Sequence, residues 1–462
     1  MSKKELVLAE IYRQNKHWKN INAFFADLKD IKHSRALLDK IIPYLDKKEI
    51  ISIIGLRRTG KTALLKQLIQ KIIKQTKPEN IFFLTLDEDL LGNRVGLADY
   101  INVFLEISNS GEQKYIFIDE VQYALKWQHI IKRYYDTEPN LKFVISGSSA
   151  LFIKKQATES LAGRIYEFKL PVLSFEEYLI IKEANSEMIS DFQKFAIAPE
   201  QKKINKSGAE KLVYQWGSEL KKHFYDYLFF GQFPILVNEP NIEARKKYLI
   251  EAVYKKTLEY DIPKIFGIEK TEALKFLFQI SVSEVGSIIE IGNLASEAGL
   301  NKETVNKYLR YFENSFLIHF VYNFSKSFRK SKRLLRKIYL ESVNFYAAFR
   351  DIDNLATDSP IIGFLVENYF YNILEQQYQY IAFFRIRKEE FDFIVAKDLL
   401  DKKSYQYFEV KHTNNIREND LTFIKRKAKK IKGIYTIISK DKLEFSAQRN
   451  IFPIWIMKNQ SS

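Results

Sequence analysis

The segment that most constrains the fold of this chain is residues 50–73, IISIIGLRRTGKTALLKQLIQKII. A short apolar run leads into a loop with glycines at positions 55 and 60, and an apolar pattern with helical spacing follows the loop. The loop matches the pattern G-x-x-x-x-G-K-[ST], in which the glycines allow backbone amides to turn toward a phosphate group. The sequence therefore predicts a buried strand, a phosphate-binding loop and a helix, in that order.

Each defined position of this loop has a predicted role in holding a nucleotide. Gly55 and Gly60 permit the tight curl of the backbone, and the start of the following helix adds a partial positive charge. Lys61 supplies a cation to the β- and γ-phosphates, and Thr62 can place its hydroxyl on Mg²⁺. The pattern is short, so a second motif is needed to support it.

The second motif is YIFIDE, residues 115–120, an apolar strand that ends in two acids. Asp119 is predicted to hold Mg²⁺ through water, and Glu120 to act as the general base toward the attacking water. An acidic strand end is common in itself. The two motifs in this order, each in the expected context, predict a P-loop NTPase that hydrolyses its nucleotide.

Other candidate residues of the nucleotide site each allow more than one role. Ser146 ends the strand KFVISGSS and either orients the attacking water or simply starts a turn. Arg164, in LAGR, either senses the γ-phosphate within its own subunit, acts as an arginine finger on a neighbour, or forms a surface ion pair. Arg57 and Arg58 face either the phosphate or the following domain, and Arg58 is counted among the nucleotide-binding candidates.

Changes in apolar pattern divide the chain into five predicted regions. Residues 49–171 alternate apolar runs with helical stretches, which is typical of a buried parallel sheet in an α/β domain. The other regions are a helical segment at 1–48, a helical lid at 172–280 with a loop-rich stretch near 180–210, a helix-turn-helix followed by a strand at 281–335, and strands around one helix at 336–462. In the fourth region, Gly299 is predicted to form the turn and Asn301 to cap the second helix.

Composition bears on partners and compartment. The chain of 462 residues has 73 Lys and Arg against 57 Asp and Glu, a net charge of +16, and no cysteine. The charge favours a polyanionic partner such as DNA, and basic runs at 328–337 and 424–432 are candidates for phosphate contact or for ordinary solvated faces. The absence of cysteine excludes disulfides and thiolate metal sites. No secretory signal or membrane segment is recognised, so a soluble, cytoplasmic protein is expected.

Five blocks together, GLRRTGKT, FIDEVQ, FVISGSS, LAGRIYEFKLPVLSFEEYL and GQFP, resemble a bacterial and archaeal family of AAA-type ATPases. The resemblance implies an AAA-type P-loop domain that uses ATP and Mg²⁺, a helical lid, a winged helix and a C-terminal α/β domain similar to restriction endonucleases. The chain departs from the family at two positions. Gln232 replaces the second glycine of Gly-Gly-Phe-Pro, and Glu341, in IYLES, stands where members commonly have aspartate.

A restriction-endonuclease-like site requires acids and a lysine on neighbouring strands. Glu367 in a helix, Asp392 in FDFIV and the pair Glu409 and Lys411 in FEVKH follow in the expected order. Such acids bind one or two divalent ions that activate water and neutralise the scissile phosphate. The apolar neighbours of Asp392 make a lone carboxylate costly there. The simpler interpretation is a surface ion pair in a fold that has lost catalysis.

Three functions remain open at this point. In the first, ATP hydrolysis is coupled to a winged helix and a nuclease-like module that engage DNA. In the second, the protein is a nucleotide-switched regulator or scaffold whose nuclease-like domain is catalytically inert and binds DNA or a protein partner, including another copy of the chain. In the third, it is a metal-dependent nuclease that the ATPase gates.

Overall fold

The computed structural model describes residues 2–28, 33–86, 95–108, 111–148, 161–201, 203–269, 271–324, 335–350, 359–387, 389–398, 405–416, 435–446 and 449–459. The elements of the N-terminal part are α1 (Lys3–Gln14), α2 (Ile21–Phe24), α3 (Leu37–Ile41), β1 (Ile50–Ile54), α4 (Lys61–Ile72), β2 (Ile81–Thr85), α5 (Leu97–Ile107), β3 (Lys114–Asp119), α6 (Trp127–Thr137), β4 (Leu141–Gly147) and β5 (Ile165–Lys169).

The first five strands form one parallel sheet in the order β2-β3-β4-β1-β5. Strands β1 and β4 are buried along their whole length, as expected for apolar runs covered on both faces by helices. The predicted α/β domain with a parallel sheet is confirmed. Because all strands run the same way, the loops that follow β1, β3 and β4 meet at one edge of the sheet.

The N-terminal helical segment covers the exposed edge of β2. Asn15 donates to the carbonyl oxygen of Phe83 and accepts from its amide, and the side chains of His17 and Trp18 both contact the carbonyl oxygen of Ile81. Burial lowers the pKa of His17 to about 4, which keeps the ring neutral as a donor. These side chains occupy hydrogen-bonding positions that would otherwise be open to another strand.

The region after the parallel sheet is helical. It contains α7 (Phe175–Ile181), α8 (Ser186–Phe195), α9 (Lys206–Phe230), α10 (Ile242–Tyr248), a π-helical segment (Leu249–Asp261), α11 (Ile262–Phe266) and α12 (Glu272–Ser283). The stretch near 180–210 was expected to be loop-rich, but the whole of α8 lies within it. Asn185 caps this helix, and Met188 and Phe192 bury its inner face. The polar residues between these buried positions hid the helical pattern.

The remaining elements are β6 (Ile288–Ile289), α13 (Ile291–Glu297), α14 (Lys302–Asn314), β7 (Ile318–Asn323), β8 (Arg336–Leu340), α15 (Asn344–Phe349), α16 (Pro360–Glu375), β9 (Tyr380–Ile386), β10 (Glu389–Ala396), β11 (Gln406–Lys411), β12 (Tyr435–Ser439), β13 (Glu444–Phe445) and β14 (Arg449–Pro453). The expected pair of helices, α13 and α14, is present. Gly299 has a φ of 63° between them, and the Asn301 side chain accepts from the amide of Thr304.

Nine strands form a second sheet in the order β13-β14-β12-β11-β10-β9-β7-β8-β6. Strand β7 pairs antiparallel with β8 and parallel with β9, so the sheet is continuous across the boundary placed between residues 335 and 336. Helix α16 packs on this sheet, where the ring of Phe370 lies 5.3 Å from that of Phe408. No helix among the described residues is both long and apolar enough to cross a membrane.

Candidate functional site

The P-loop, residues 55–62, follows β1 directly, and its two glycines are needed for different reasons. A Cβ atom at Gly55 would lie 2.3 Å from the carbonyl oxygen of Leu170. Gly60 has a φ of 100°, in the region of backbone conformation that favours glycine. Arg58 is also left-handed, with a φ of 68°, and its side chain is exposed. The loop is therefore curled immediately before the start of α4.

The lysine of the P-loop is held by backbone oxygens alone. Lys61 is buried, and its Nζ donates to the carbonyl oxygens of Gly55 and Leu56, each at 3.1 Å. It forms no ion pair with a carboxylate in the described part of the chain. Because carbonyl dipoles balance a full charge only in part, this ammonium group is placed to attract an anion.

Three polar side chains connect the start of α4 with the ends of β3 and β4. The Thr62 hydroxyl donates to Asp119 Oδ2 at 2.6 Å, and the Ser146 hydroxyl donates to the other carboxylate oxygen. The Ser146 Oγ also accepts from the amide of Glu120 at 3.1 Å. Burial and the neighbouring Glu120 raise the pKa of Asp119. Ser146 thus holds Asp119 and the backbone of Glu120 in place.

Glu120 lies next to Asp119 in a left-handed conformation, with a φ of 53°. The side-chain Nε2 of Gln122 donates to Glu120 Oε2 and, at 3.1 Å, to the hydroxyl of Ser148. Gln122 was not predicted as a site residue, although it lies in the FIDEVQ block. A polar residue in a turn, two positions after a candidate catalytic residue, was the available signal.

The side chain of Arg57, in the P-loop, faces the helical region rather than the loop itself. The Arg57 Nη1 atom lies 3.2 and 3.1 Å from the two carboxylate oxygens of Asp261, at the end of the π-helical segment. Tyr123 lies three residues after the end of the YIFIDE block. Its hydroxyl donates to Asp261 Oδ1 at 2.6 Å. Asp261 therefore connects the P-loop and the turn after β3 to the helical region.

Arg164 lies at the opposite end of the sheet from the P-loop. Its carbonyl oxygen accepts from the amide of Ile50, at the first residue of β1, whereas the P-loop follows the last residue of that strand. Five strand residues separate the two ends by roughly 16 Å. The Arg164 side chain pairs with Asp136 at 3.2 Å. This position does not fit γ-phosphate sensing within the same subunit.

In the C-terminal sheet, Asp392 and Glu409 meet across β10 and β11. Phe393 pairs with Phe408 in these antiparallel strands. The next pair in the same register is Asp392 opposite Glu409. Asp392 Oδ2 accepts from the amide of Val410 at 2.8 Å, and Glu409 Oε2 accepts from the amide of Asp392 at 3.3 Å. Each carboxylate is thus buried and bound to the backbone of the other strand.

Two lysines neutralise this region, and one of them is buried inside the protein. Lys411 Nζ lies 2.7 Å from Glu409 Oε1, and its side chain is 38% exposed. Lys337, on β8, lies 3.1 Å from Glu367 and 2.6 Å from Glu390, and only 4% of its side chain is exposed. We call these six residues the C-terminal acidic cluster: Glu367, Glu390, Asp392, Glu409, Lys337 and Lys411.

Lys337 was counted in the basic run at 328–337 as a phosphate-binding or solvated residue, and it is neither in this structure. It alternates with Tyr339 along β8, and the Tyr339 hydroxyl donates to Glu367 Oε1 at 2.6 Å. The alternation of Lys337 with Tyr339 in an apolar strand was the signal that its side chain points inward. Residues 328–334 and the run at 424–432 lie outside the described residues.

The charges in the cluster affect one another strongly. Burial and Asp392 raise the pKa of Glu367 to about 7 and that of Glu409 to about 8. Burial would lower the pKa of Lys337, but Glu367, Asp392 and Glu390 raise it overall. Within the described ranges, no three His, Cys, Asp or Glu side chains are arranged so as to hold a metal ion.

The two departures from the family pattern both lie where the helical region and the second sheet meet the P-loop domain. Gln232 Oε1 accepts from the hydroxyl of Ser342 at 2.7 Å, and the Gln232 amide donates to Asn344 Oδ1 at 2.8 Å. The nearby Pro234 is the side chain closest to the Cβ position of Gly60, at 4.0 Å. A glycine at position 232 would lack the contact with Ser342.

Glu341 is buried in an ion network between the two sheets. Its Oε2 atom lies 2.9 Å from Lys169 Nζ and 2.6 Å from His319 Nε2, and Lys169 also contacts Glu375 at 3.1 Å. Burial would raise the pKa of Glu341, but Lys169 and His319 lower it to about 2. The carboxylate at this position therefore joins β8 to β5 and is separate from the C-terminal acidic cluster.

Two family models match parts of the chain. Residues 47–179 match the model described as an AAA domain, and residues 221–355 match a domain of unknown function (DUF8612). The first match contains all five strands of the parallel sheet together with Lys61, Asp119 and Glu120. It supports an AAA-type P-loop domain in this part of the chain.

The sequence is also similar to proteins that are described as uncharacterized. Two from Methanocaldococcus jannaschii are 30% identical over 295 residues and 27% identical over 378 residues, and one from Haemophilus influenzae is 28% identical over 289 residues. These alignments cover 62%, 79% and 61% of this chain and 58%, 77% and 64% of the respective relatives. The chain thus spans less than two thirds of the first and the third of them.

Solved structures give weak similarities. A DNA polymerase III gamma subunit-related protein from Thermotoga maritima is 14% identical, with a TM-score of 0.27 over 60% of this chain and 99% of that one. The Hsp104:casein complex from S. cerevisiae is 15% identical, with a TM-score of 0.29 over 60% of this chain and 48% of that one. Similarities this low carry no conclusion about this chain. The match to an AAA domain over residues 47–179 is the finding that bears on the P-loop site.

Proposed function

We propose that this protein binds and hydrolyses ATP together with Mg²⁺ at the P-loop. The proposal rests on the contact between Thr62 and Asp119, which Ser146 supports from β4. This arrangement lies directly after a lysine that no described carboxylate neutralises. A hydroxyl and a carboxylate are ligands that Mg²⁺ prefers, and an ammonium group beside a curled backbone suits phosphate.

The chain's own residues would do the following when nucleotide binds. Lys61 would exchange its two carbonyl oxygens for phosphate oxygens, and Thr62 would turn its hydroxyl oxygen toward the cation that Asp119 also holds. Mg²⁺, when bound, supplies neutralisation of the phosphate charge. Glu120 would release Gln122 and accept a proton from the attacking water. Ser146 would keep Asp119 and the Glu120 backbone fixed throughout.

Steady-state release of phosphate from ATP tests this proposal. The wild-type chain is expected to hydrolyse ATP only with a divalent cation, and Lys61→Ala to abolish both binding and turnover. Lys71→Ala is the matched control, because this exposed lysine lies at the other end of the same helix. Wild-type protein without ATP binding, or Lys61→Ala with normal turnover, would contradict the proposal.

Arg164 would serve this site only from a neighbouring copy of the chain, because it lies at the far end of its own sheet. Mixing two inactive variants tests this arrangement. Subunits with Arg164→Ala keep an intact P-loop, whereas subunits with Lys61→Ala keep an intact Arg164, so mixed assemblies would regain turnover. Failure of the mixture to regain any turnover would exclude the contribution in trans.

The proposal also includes coupling of the nucleotide state to the C-terminal half, where the helix pair α13–α14 would act as a winged helix on DNA. Support comes from the net charge of +16 and from two contacts: Arg57 with Asp261 joins the P-loop to the helical region, and Gln232 with Ser342 joins the helical region to the C-terminal half. Binding to duplex DNA should weaken steeply as salt rises and should differ between ATP and ADP. If the protein binds no duplex DNA at low salt with either ATP or ADP, the proposed coupling to DNA is contradicted.

A second candidate function concerns the C-terminal acidic cluster, and Lys337 favours it. In this alternative the restriction-endonuclease-like domain is catalytically inert, because the Lys337 ammonium group pairs with Glu367, one of the acids expected to hold the cation of a nuclease. Labelled DNA should then stay intact with Mg²⁺ or Mn²⁺. Cleavage by wild-type protein that Asp392→Asn abolishes would contradict the inert domain and support a nuclease.

A further inference from the structure

Arg35 contacts the P-loop although it precedes residues 47–179, which match the AAA domain. Its Nη1 atom donates to the carbonyl oxygen of Thr59 at 2.6 Å, and its Nη2 atom donates to the carbonyl oxygen of Pro171 at 2.9 Å. The residue is 7% exposed. One guanidinium group thus links the N-terminal segment, the P-loop and the segment that follows β5.

The bond to Thr59 constrains the direction of the next amide group in the loop. A peptide unit is planar and trans, so its C=O and N–H groups point to opposite sides. Because the Thr59 carbonyl points out to Arg35, the Gly60 N–H that shares this peptide unit points away from Arg35. A curled P-loop binds phosphate through backbone N–H groups that point into the loop, and Arg35 leaves the Gly60 N–H available for this. Gly60 imposes little preference of its own, since glycine adopts many backbone conformations.

Glu177 on α7 holds the guanidinium group in this orientation. Its Oε1 atom accepts from Arg35 Nε at 2.8 Å and from the amide of Ala36 at 3.0 Å, and its Oε2 atom accepts from the amide of Ser174 at 2.9 Å. Burial would raise the pKa of Glu177, but Arg35 and these amides lower it overall. The planar fork of arginine can serve Thr59, Pro171 and Glu177 at once, and a lysine cannot.

We propose that Arg35 is a positioning residue for nucleotide binding, which orients the Thr59–Gly60 peptide toward the phosphates. This inference rests on the proposed ATP site and adds to it a residue from outside the matched domain. A hydrogen bond from a charged donor is worth about tenfold to a hundredfold in an equilibrium constant. Loss of Arg35 should therefore weaken nucleotide binding about tenfold or more, while kcat changes less than KM.

Calorimetric titration with ADP and Mg²⁺, which involves no turnover, measures this effect. Arg35→Ala is compared with wild type and with Arg245→Ala. Arg245 is the matched control because it is equally buried and pairs with Asp226 at 2.6 Å, within the helical region and away from the P-loop. Each variant is measured with added guanidinium chloride, below denaturing concentration, and with sodium chloride of the same ionic strength.

The expected result has three parts. Arg35→Ala binds ADP about tenfold or more weakly, guanidinium but not sodium restores its affinity, and Arg245→Ala loses stability without losing affinity. Arg35→Lys keeps the charge and one bond to Thr59, so an intermediate affinity is expected. It also serves as the test if Arg35→Ala does not fold.

Several outcomes would overturn the inference. Wild-type affinity in Arg35→Ala or in folded Arg35→Lys would remove the positioning role. A loss that guanidinium fails to reverse, and that Arg245→Ala shares, would make Arg35 purely structural. If wild type itself fails to bind ADP, the proposed ATP site falls and this inference falls with it. If wild type binds and Lys61→Ala does not, the ATP site stands whatever Arg35 does.

Discussion

The P-loop site and the C-terminal acidic cluster both combine lysines with carboxylates, but they balance their charges differently. Lys61 is held only by the carbonyl oxygens of Gly55 and Leu56. In the cluster, Lys337 lies between Glu367 and Glu390, and burial raises the pKa of Glu409 to about 8, so that a proton serves as a further positive charge.

The difference indicates which site depends on a ligand to complete it. A buried ammonium group whose hydrogen bonds go only to carbonyl oxygens gains from an incoming anion, whereas carboxylates that already have lysines and protons gain less from an incoming cation. Motif order alone predicts candidate residues at both sites. Their internal neutralisation separates them, and the predictions below test that separation.

The largest expected effect is on ATP turnover. Glu120→Gln removes the group proposed to accept a proton from water and should lower kcat about a hundredfold or more. Asp392→Asn and Lys411→Ala, in the cluster, should leave kcat within about twofold, because no described contact links them to the P-loop. A comparable loss in the cluster variants would break the distinction between the two sites.

The next effect is on stability. Lys337→Met leaves Glu367 and Glu390 buried without their ammonium partner and should lower the free energy of unfolding by about 3 kcal/mol, measured by chemical denaturation. Added Mn²⁺ should recover part of this loss, because a cation can then replace the lysine. Lys411→Met, at a more exposed pair, should cost under about 1 kcal/mol. Unchanged stability in Lys337→Met would contradict internal neutralisation.

The pH dependence of stability gives a third test. The pKa of Glu409 is about 8 in the folded chain against 4.5 for an ordinary glutamate, so the folded state keeps a proton that the unfolded state releases. Stability from this group is therefore present below pH 4.5 and is lost as the pH rises through about 8.

Glu409→Gln should make the free energy of unfolding less sensitive to pH in this interval, because a glutamine has no proton to release. Denaturant titrations at several pH values measure the change. Glu243→Gln, at an exposed position, is the control and should leave the pH dependence unchanged. A wild-type chain whose stability rises over the interval would show that Glu409 is not held protonated.

The smallest effect is expected for Ser146→Ala. The hydroxyl supports Asp119 and the Glu120 amide, so its loss should lower kcat about fivefold, equivalent to about 1 kcal/mol. Ser283→Ala, which removes a hydroxyl bonded only to a carbonyl of its own helix, should leave kcat unchanged. A loss in Ser146→Ala as large as in Glu120→Gln would assign Ser146 a more direct role with water.

The P-loop and its acids could be predicted from sequence because their information is local. The loop occupies eight consecutive residues, and Asp119 and Glu120 end an apolar strand whose parallel neighbours bring them to the same edge. The continuous parallel sheet followed from the same apolar runs. The order of Asp392, Glu409 and Lys411 likewise reflects a hairpin between adjacent strands.

The partners of these residues could not be predicted, because they depend on tertiary packing. Arg35 reaches Thr59 across 24 positions, and Arg57 reaches Asp261 across 204. Lys337 lies at the end of a basic run, and the composition of that run predicted an exposed side chain. The alternation of residues along β8 instead places the Lys337 side chain inside the protein. The α8 helix was missed for a similar reason, since polar residues separate its buried positions.

Counting the Mn²⁺ ions bound per chain tests the central claim most directly. Mn²⁺ reports by electron paramagnetic resonance on sites that hold Mg²⁺, and the titration is made with ADP present. The account predicts a single bound ion, lost in Asp119→Asn and retained in Asp392→Asn. A second ion that disappears in Asp392→Asn would contradict it, because the C-terminal acidic cluster would then be a metal site.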